Sequence, residues 1–298
     1  MTEYSDLNSY LKKRFGTKIY KAAVSLDVTC PNRDGSKAFG GCSFCSSGGS
    51  GEFSQDSCLD IRTQLDLAIG KVSSKAGHDP RYIAYFQSFS NTYIDPAILR
   101  NKLMEAASHP LVVMISVATR PDCLPEGILE VLKEVSREIP LMVELGLQTI
   151  DDEVAANFNR CYKTSEFDEA VIKLKEIGVE VVAHVIFGLP GEDRDMMLKT
   201  VKHLVRLKPD GVKFTCLYIL KDTPMEKEYS EGRLRPLEKD EYFDIVEDAL
   251  RLLTPDIIVH RLTGDGPKSL LIAPLWTADK RNVVNYINRR FSKRKIKE

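Results

Sequence analysis

Residues 167–207 read FDEAVIKLKEIGVEVVAHVIFGLPGEDRDMMLKTVKHLVRL. Apolar residues recur at helical spacing from Phe167 to Ile177 and run almost unbroken from Val179 to Phe187. They stop at the Gly188-Leu-Pro-Gly-Glu192 turn and return to helical spacing from Asp195 to Leu207. A short β-branched run between two amphipathic helices is the repeating unit of a parallel sheet with helical crossovers. The near-continuous apolar character of the strand agrees, because such sheets are covered on both faces. The same alternation extends outward: strand-like runs lie at Ala23–Thr29, Tyr82–Phe86, Leu111–Val117, Leu141–Leu147 and Gly211–Tyr218, with helical segments at Ile61–Val72, Ala97–Ala107 and Glu126–Val135. Six strands in this order predict an α/β fold, either a doubly wound sheet or a barrel.

Polar residues gather where the strands end. Cys30 follows the first run, Gln87 and Ser88 the second, Thr119 and Arg120 the third, Gln148 the fourth, the Gly188–Glu192 turn the fifth and Lys221 the sixth. Active sites of parallel α/β folds sit at the C-terminal ends of strands, so this placement fits the mouth of an enzyme. Within the fourth strand Glu144, Gly146 and Gln148 share one face, and a carboxylate beside an amide inside a barrel is costly unless it binds something. Outside the rhythm lie a helix at Leu7–Phe15, a charged helix at Glu238–Leu253, the short run Ile257–Val259, the loop His260–Pro267 and a final helix. The expected division is an N-terminal helical segment (1–22), a core (23–225) and a C-terminal extension (226–298).

The chain has 298 residues, 43% of them hydrophobic and 29% charged, which excludes disorder and allows a buried core. Forty-two Lys and Arg nearly balance 43 Asp and Glu, so net charge neither favours nor excludes a nucleic-acid partner. Any basic footprint must be local, as in Lys12-Lys-Arg14 or the tail Arg289–Glu298. The first sixteen residues lack the apolar centre of a signal peptide and no run is long enough to span a bilayer, so a cytoplasmic protein without membrane contact is expected. Seven cysteines in a reducing compartment then point to metal or catalytic roles rather than a disulfide framework.

Three of the seven form Cys30-x11-Cys42-x2-Cys45 in a Gly-rich stretch after the first strand. Three thiolates hold three irons of a 4Fe-4S cluster and leave the fourth iron open. The competing reading is a zinc site with Cys58 as fourth ligand. Structural zinc sites favour two short knuckles, and there is one CxxC here.

CPNRDG at 30–35, GGCSFC at 40–45, ATRPDCL at 118–124, ELGLQT at 144–149, NR at 159–160, AHVIFGLPGE at 183–192 and RLTGDGPKSLLIAPLW at 261–276 together resemble the radical S-adenosylmethionine (SAM) superfamily. Within it they resemble the YtqA/YhcC-type subgroup, a relative of the Elongator catalytic subunit. The resemblance implies a partial (β/α)6 barrel of the TIM type with a C-terminal extension. It implies that Cys30, Cys42 and Cys45 ligate a 4Fe-4S cluster whose open iron is chelated by SAM, and that one-electron reduction cleaves SAM to a 5'-deoxyadenosyl radical that takes hydrogen from substrate.

For the cofactor the resemblance implies Phe44 beside the adenine, Gln87 and Ser88 where many relatives carry Gly-Gly-Glu, and Arg120 toward the SAM carboxylate. Glu144 and Gln148 are expected at the ribose or methionine, and Ile186 and Gly188 on the same wall. His184 and Arg160 are the expected catalytic pair, His184 moving a proton or touching substrate and Arg160 meeting a carboxylate or phosphate. Arg261, Thr263 and Asp265 are expected to close the mouth. No second cysteine cluster suggests an auxiliary centre. The implied substrate is tRNA, at the 5-carboxymethylaminomethyl group of a wobble uridine, with a flavodoxin- or ferredoxin-type electron donor. Two other readings stand beside it: a radical SAM oxidoreductase for a small molecule or protein side chain, and a zinc-stabilised RNA-binding module without catalysis.

Overall fold

The structure, a computed structural model, describes residues 2–49, 51–73, 79–264 and 266–293. Seven parallel strands form one curled sheet in chain order: β1 (Ile19–Val24), β2 (Arg81–Phe86), β3 (Val112–Thr119), β4 (Leu141–Gln148), β5 (Glu180–Phe187), β6 (Gly211–Cys216) and β7 (Ile258–Arg261). Strand order equal to sequence order, with helical crossovers, is the arrangement of a partial barrel rather than a doubly wound sheet. The crossover helices are Ile61–Ser73, Pro96–Ala107, Glu126–Glu138, Thr164–Glu176 and Arg194–Leu207. Asp95 and Asp193 fix two of their starts by accepting from the first-turn N–H groups of Ile98 and Met196.

The first strand lies earlier than its apolar run suggests. Ile19–Val24 pairs with Arg81–Phe86, whereas from Ser25 onward the backbone leaves the sheet. There the Gln64 side chain replaces the neighbouring strand, with Ser25 N–H donating to Gln64 Oε1 (2.8 Å) and Gln64 Nε2 donating to Ser25 O (3.0 Å). The expected boundary at residue 22 therefore falls inside a sheet strand. The C-terminal extension also joins the barrel, because β7 pairs in parallel with β6 and so adds a seventh strand to the six expected. Thr2–Tyr4 pairs with Phe291–Lys293, bringing the two ends of the described chain together.

Outward-facing residues such as Phe86, Val117, Leu145, Val185 and Phe214 pack under the helices in one large core. Phe187 stacks on Phe214 (centroids 5.1 Å) and touches Tyr242, which joins Phe243 and Trp276 in an aromatic seam that binds the extension to the sheet.

Inward-facing residues form layers at the period of two that strands impose. The bottom layer, Ile19, Ile83, Met114, Met142 and Val182, is plugged by Leu11 of the helix Leu7–Phe15. Two residues along each strand comes a polar layer: Lys21, Tyr85, Ser116, Glu144, His184 and Lys213. The next step is small or adaptable: Ala23, Gln87, Ala118, Gly146, Ile186 and Thr215. Among the described residues no helix is long and apolar enough to cross a membrane.

Candidate active site

The cysteine loop is shaped by its glycines and held by a segment distant in sequence. Gly40 (φ +78°) and Gly41 (φ +85°) lie consecutively in the left-handed region, which side chains disfavour, and the turn lets Gly41 N–H donate to Asn32 O (2.8 Å). Asn32 is fully buried; its Nδ2 donates to Asn159 O and to Arg160 O (3.2 Å) and lies 3.6 Å from Cys42 Sγ. Asn159 Nδ2 returns a hydrogen bond to Gly41 O (2.9 Å).

Cys30, Cys42 and Cys45 line one wall of a cavity of about 980 Å³ that opens at the C-terminal ends of the strands. The three thiols are close enough to bear on one another: burial raises the Cys42 pKa most, Cys45 and Cys30 raise it further, and Arg120 opposes them. Among the described residues no three His, Cys, Asp or Glu side chains converge on a single-ion site. Cys58 is exposed, away from the cavity wall.

Arg120 stands at this wall. Its Nε and Nη2 donate to the Asp122 carboxylate (2.9 and 2.8 Å), Nη2 also to Arg160 O (3.1 Å), and Nη1 lies 3.8 Å from Cys30 Sγ. Burial would raise the Asp122 carboxyl, but Arg120 and Lys37 hold it below its usual value. The guanidinium also covers the Tyr162 ring at 4.9 Å.

Phe44, Gln87, Gln148, Ile186, Glu144 and His184 all line the cavity. Three expected residues lie elsewhere. Ser88 turns away: its Oγ is 2.9 Å from Ser25 Oγ, and a Cβ on Gly51 would stand 2.4 Å from its own Cβ, so Ser88 packs behind the glycine loop. Gly188, at φ +89°, faces Leu237, whose Cδ1 is 2.9 Å from where a Cβ would be. Arg160 is 1% exposed and all its donors are engaged, with Tyr162 O, Leu147 O, Thr149 O, Asp152 Oδ1 and Thr164 Oγ1. It acts as an internal clasp between the end of β4 and the loop that holds the cysteines. Asp265, Ser50 and residues 294–298 of the basic tail lie outside the described residues.

The polar layer centres on Glu144, 1% exposed. Oε1 accepts from Lys21 Nζ (2.8 Å) and Ser116 Oγ (2.8 Å). Oε2 accepts from Tyr85 Oη (2.9 Å), His184 Nε2 (2.9 Å) and Lys213 Nζ. Burial alone would raise this carboxyl; Lys21 and Lys213 outweigh it and hold the group well below the carboxylate range. Burial, then Lys213, push His184 down to about 4 against the pull of Glu144, so the ring is neutral at pH 7 and keeps Nδ1 as an acceptor. Lys213 is itself held well below the usual lysine value by burial, which Glu144 only partly offsets.

Lys213 was readable in the sequence as a lysine enclosed in an apolar strand, Gly211-Val-Lys-Phe-Thr-Cys216. Lys21 was hidden by placing the first strand at Ala23. Eight Lys or Arg line the cavity against two acids, Glu52 and Glu144. A chain of formal net charge −1 thus encloses a strongly positive cavity.

Residues 30–204 match the family described as Radical SAM superfamily, and residues 209–293 match the Radical_SAM C-terminal domain. The chain belongs to the radical SAM superfamily. It is 43% identical to a Bacillus subtilis protein named YtqA over 98% of this chain and 90% of that one. A Methanocaldococcus jannaschii tRNA uridine(34) acetyltransferase is 28% identical over 57% of this chain and 31% of that protein. Among solved structures, Elp3 of Methanocaldococcus infernus superposes with a TM-score of 0.68 at 16% identity, covering 91% of this chain and 63% of that one. The radical SAM partial barrel and its C-terminal extension are thus the fold of this chain.

Proposed function

We propose that this radical SAM protein acts on tRNA at the wobble uridine, remodelling an acidic 5-substituent of the carboxymethylaminomethyl type. The observation that carries this reading is the cavity: three cysteines on one wall of a chamber in which cations outnumber acids eight to two. A positive chamber suits a polyanion, whose phosphates supply salt-dependent affinity. Phe53, 56% exposed, and Phe89 lie at the same cavity and offer ring faces to an unstacked base. Similarity to a tRNA uridine(34) acetyltransferase supports the same substrate class.

In this reading Cys30, Cys42 and Cys45 hold a 4Fe-4S cluster, which, when bound, supplies one-electron cleavage of SAM and hydrogen-atom abstraction. Arg120 sets a fixed positive charge beside Cys30. Gln87 and Gln148 hydrogen-bond the cofactor, Phe44 and Ile186 give it apolar walls, and Gly146 leaves it room. A Cβ at position 146 would stand 2.5 Å from Gln148 Nε2 and 3.2 Å from Tyr162 Oη. His184, oriented by Glu144, holds or accepts a proton at Nδ1. Arg160, Ser88 and Gly188 keep the walls in place. A flavodoxin- or ferredoxin-type protein supplies the electron.

The test is anaerobic incubation of reconstituted enzyme with SAM, reductant and tRNA. The expected result is 5'-deoxyadenosine formation that rises with tRNA and a changed wobble nucleoside. SAM cleavage with unaltered nucleosides would move the substrate to a small molecule or protein side chain. A protein that stays colourless near 400 nm after incubation with iron and sulfide would support the zinc-stabilised alternative.

A further inference from the structure

In the polar layer at the cavity floor only His184 and Glu144 have a part in the proposed chemistry, and the charges of that layer do not balance. Glu144, at the middle of the sheet, meets Lys21 from its first strand and Lys213 from β6. Arg261 on β7 is the register partner of Lys213 and lines the same cavity. It is near enough to bear on the ionisation of both Tyr85 and Lys213. Among the described residues its guanidinium makes no hydrogen bond or ion pair, and both Glu144 oxygens are already occupied by other donors. Three cations thus face one saturated carboxylate.

Lys21 and Lys213 share one filled carboxylate, and Arg261, exposed at the open edge of the same cavity, presents a guanidinium without a hydrogen-bond partner among the described residues, so an anion entering here meets vacant donors. Lys21 directs one N–H to Glu144 Oε1 and retains others, and Arg261 presents a planar fork suited to a carboxylate. The floor lies one inward step, about 7 Å, below the small-residue layer of Ala23, Ala118 and Gly146. A short linear chain spans that step.

We propose that Lys21, Lys213 and Arg261 form an anion subsite that receives the carboxylate at the end of the substrate's side chain, drawing it down the barrel so that the atoms nearer the base stay at the level of the cysteines. The subsite selects acidic over neutral or basic substituents. This assignment of a carboxylate rests on the wobble-uridine reading; the subsite itself rests on the charges.

Two anticodon stem-loop RNAs, identical except for 5-carboxymethylaminomethyl or 5-aminomethyl on the wobble uridine, separate the two ideas. Because both carry the same phosphates, any difference in Kd for the reconstituted protein reports the substituent. We expect the acidic form to bind at least about tenfold more tightly, with the ratio falling toward one in Arg261→Gln and recovering in Arg261→Lys. Arg261 is exposed at a strand edge and has no hydrogen-bond or ion-pair partner among the described residues, so the exchange is expected to leave the fold intact, which an unchanged urea midpoint checks. Equal binding of the two RNAs, or a preference that survives Arg261→Gln, would overturn the subsite. If neither RNA binds, the tRNA reading fails and free 5-carboxymethylaminomethyluridine decides: binding lost in Arg261→Gln supports the floor, and no binding to the unmodified protein overturns it.

Discussion

Glu144 shows how one side chain ties the sheet together and sets the pH response of the fold. Five donors from β1, β2, β3, β5 and β6 meet its two oxygens. Glu144→Ala leaves Lys213 buried without its counter-charge and is expected to cost about 3–5 kcal/mol in urea unfolding. His184 has a folded pKa of about 4 against 6.5 for the free group. The unfolded chain therefore binds more protons between those values, and stability is lost as pH falls through that window. The depressed Glu144 carboxyl acts in the same direction, losing its contribution below its unfolded value. His184→Gln is expected to flatten the limb between pH 6.5 and 4; the remaining slope combines His260, which burial also holds well below the usual histidine value, Glu144 at the acid end, and Glu192, which burial raises to about 7 and which acts in the opposite direction. An unchanged slope in that variant would contradict the neutral assignment.

Elements of the barrel were legible wherever two-faced burial writes itself as an apolar run: β4, β5 and the helices around them lie within a few residues of their expected bounds. β1 was not, because Val24–Val28 carries a strand's composition while Gln64, distant in sequence, takes over the backbone of Ser25. Arg160 failed for the same kind of reason: an arginine in a polar loop reads as an anion ligand, and only the fold shows carbonyls closing around it. At this level Phe187→Ala, which removes a fully buried ring stacked on Phe214, should cost about 3–5 kcal/mol, read from the urea midpoint. Gly146→Ala should instead spare the fold and weaken SAM binding, because the new methyl displaces Gln148, the flexible end of a side chain, into the cavity. Calorimetric titration with SAM checks this, and an unaltered Kd would place the cofactor away from β4.

Over the full chain, near-zero net charge conceals a division between a basic cavity and an acidic remainder, which no composition reveals because it depends on which lysines point inward. Binding of tRNA is therefore expected to weaken steeply with salt, and Lys268→Ala, at the cavity rim, to lower the slope of log K against log salt by about one. The cysteine motif was the part of the site most open to reading from sequence, since its spacing is local; the cations of the floor come from strands across the chain and meet only when the sheet curls. The most direct measurement is nucleoside mass spectrometry of tRNA from a strain lacking this gene. Accumulation of 5-carboxymethylaminomethyluridine at the wobble position, reversed by the intact gene and not by Cys42→Ala, is the predicted result. A wobble-uridine profile identical with and without the gene would contradict it.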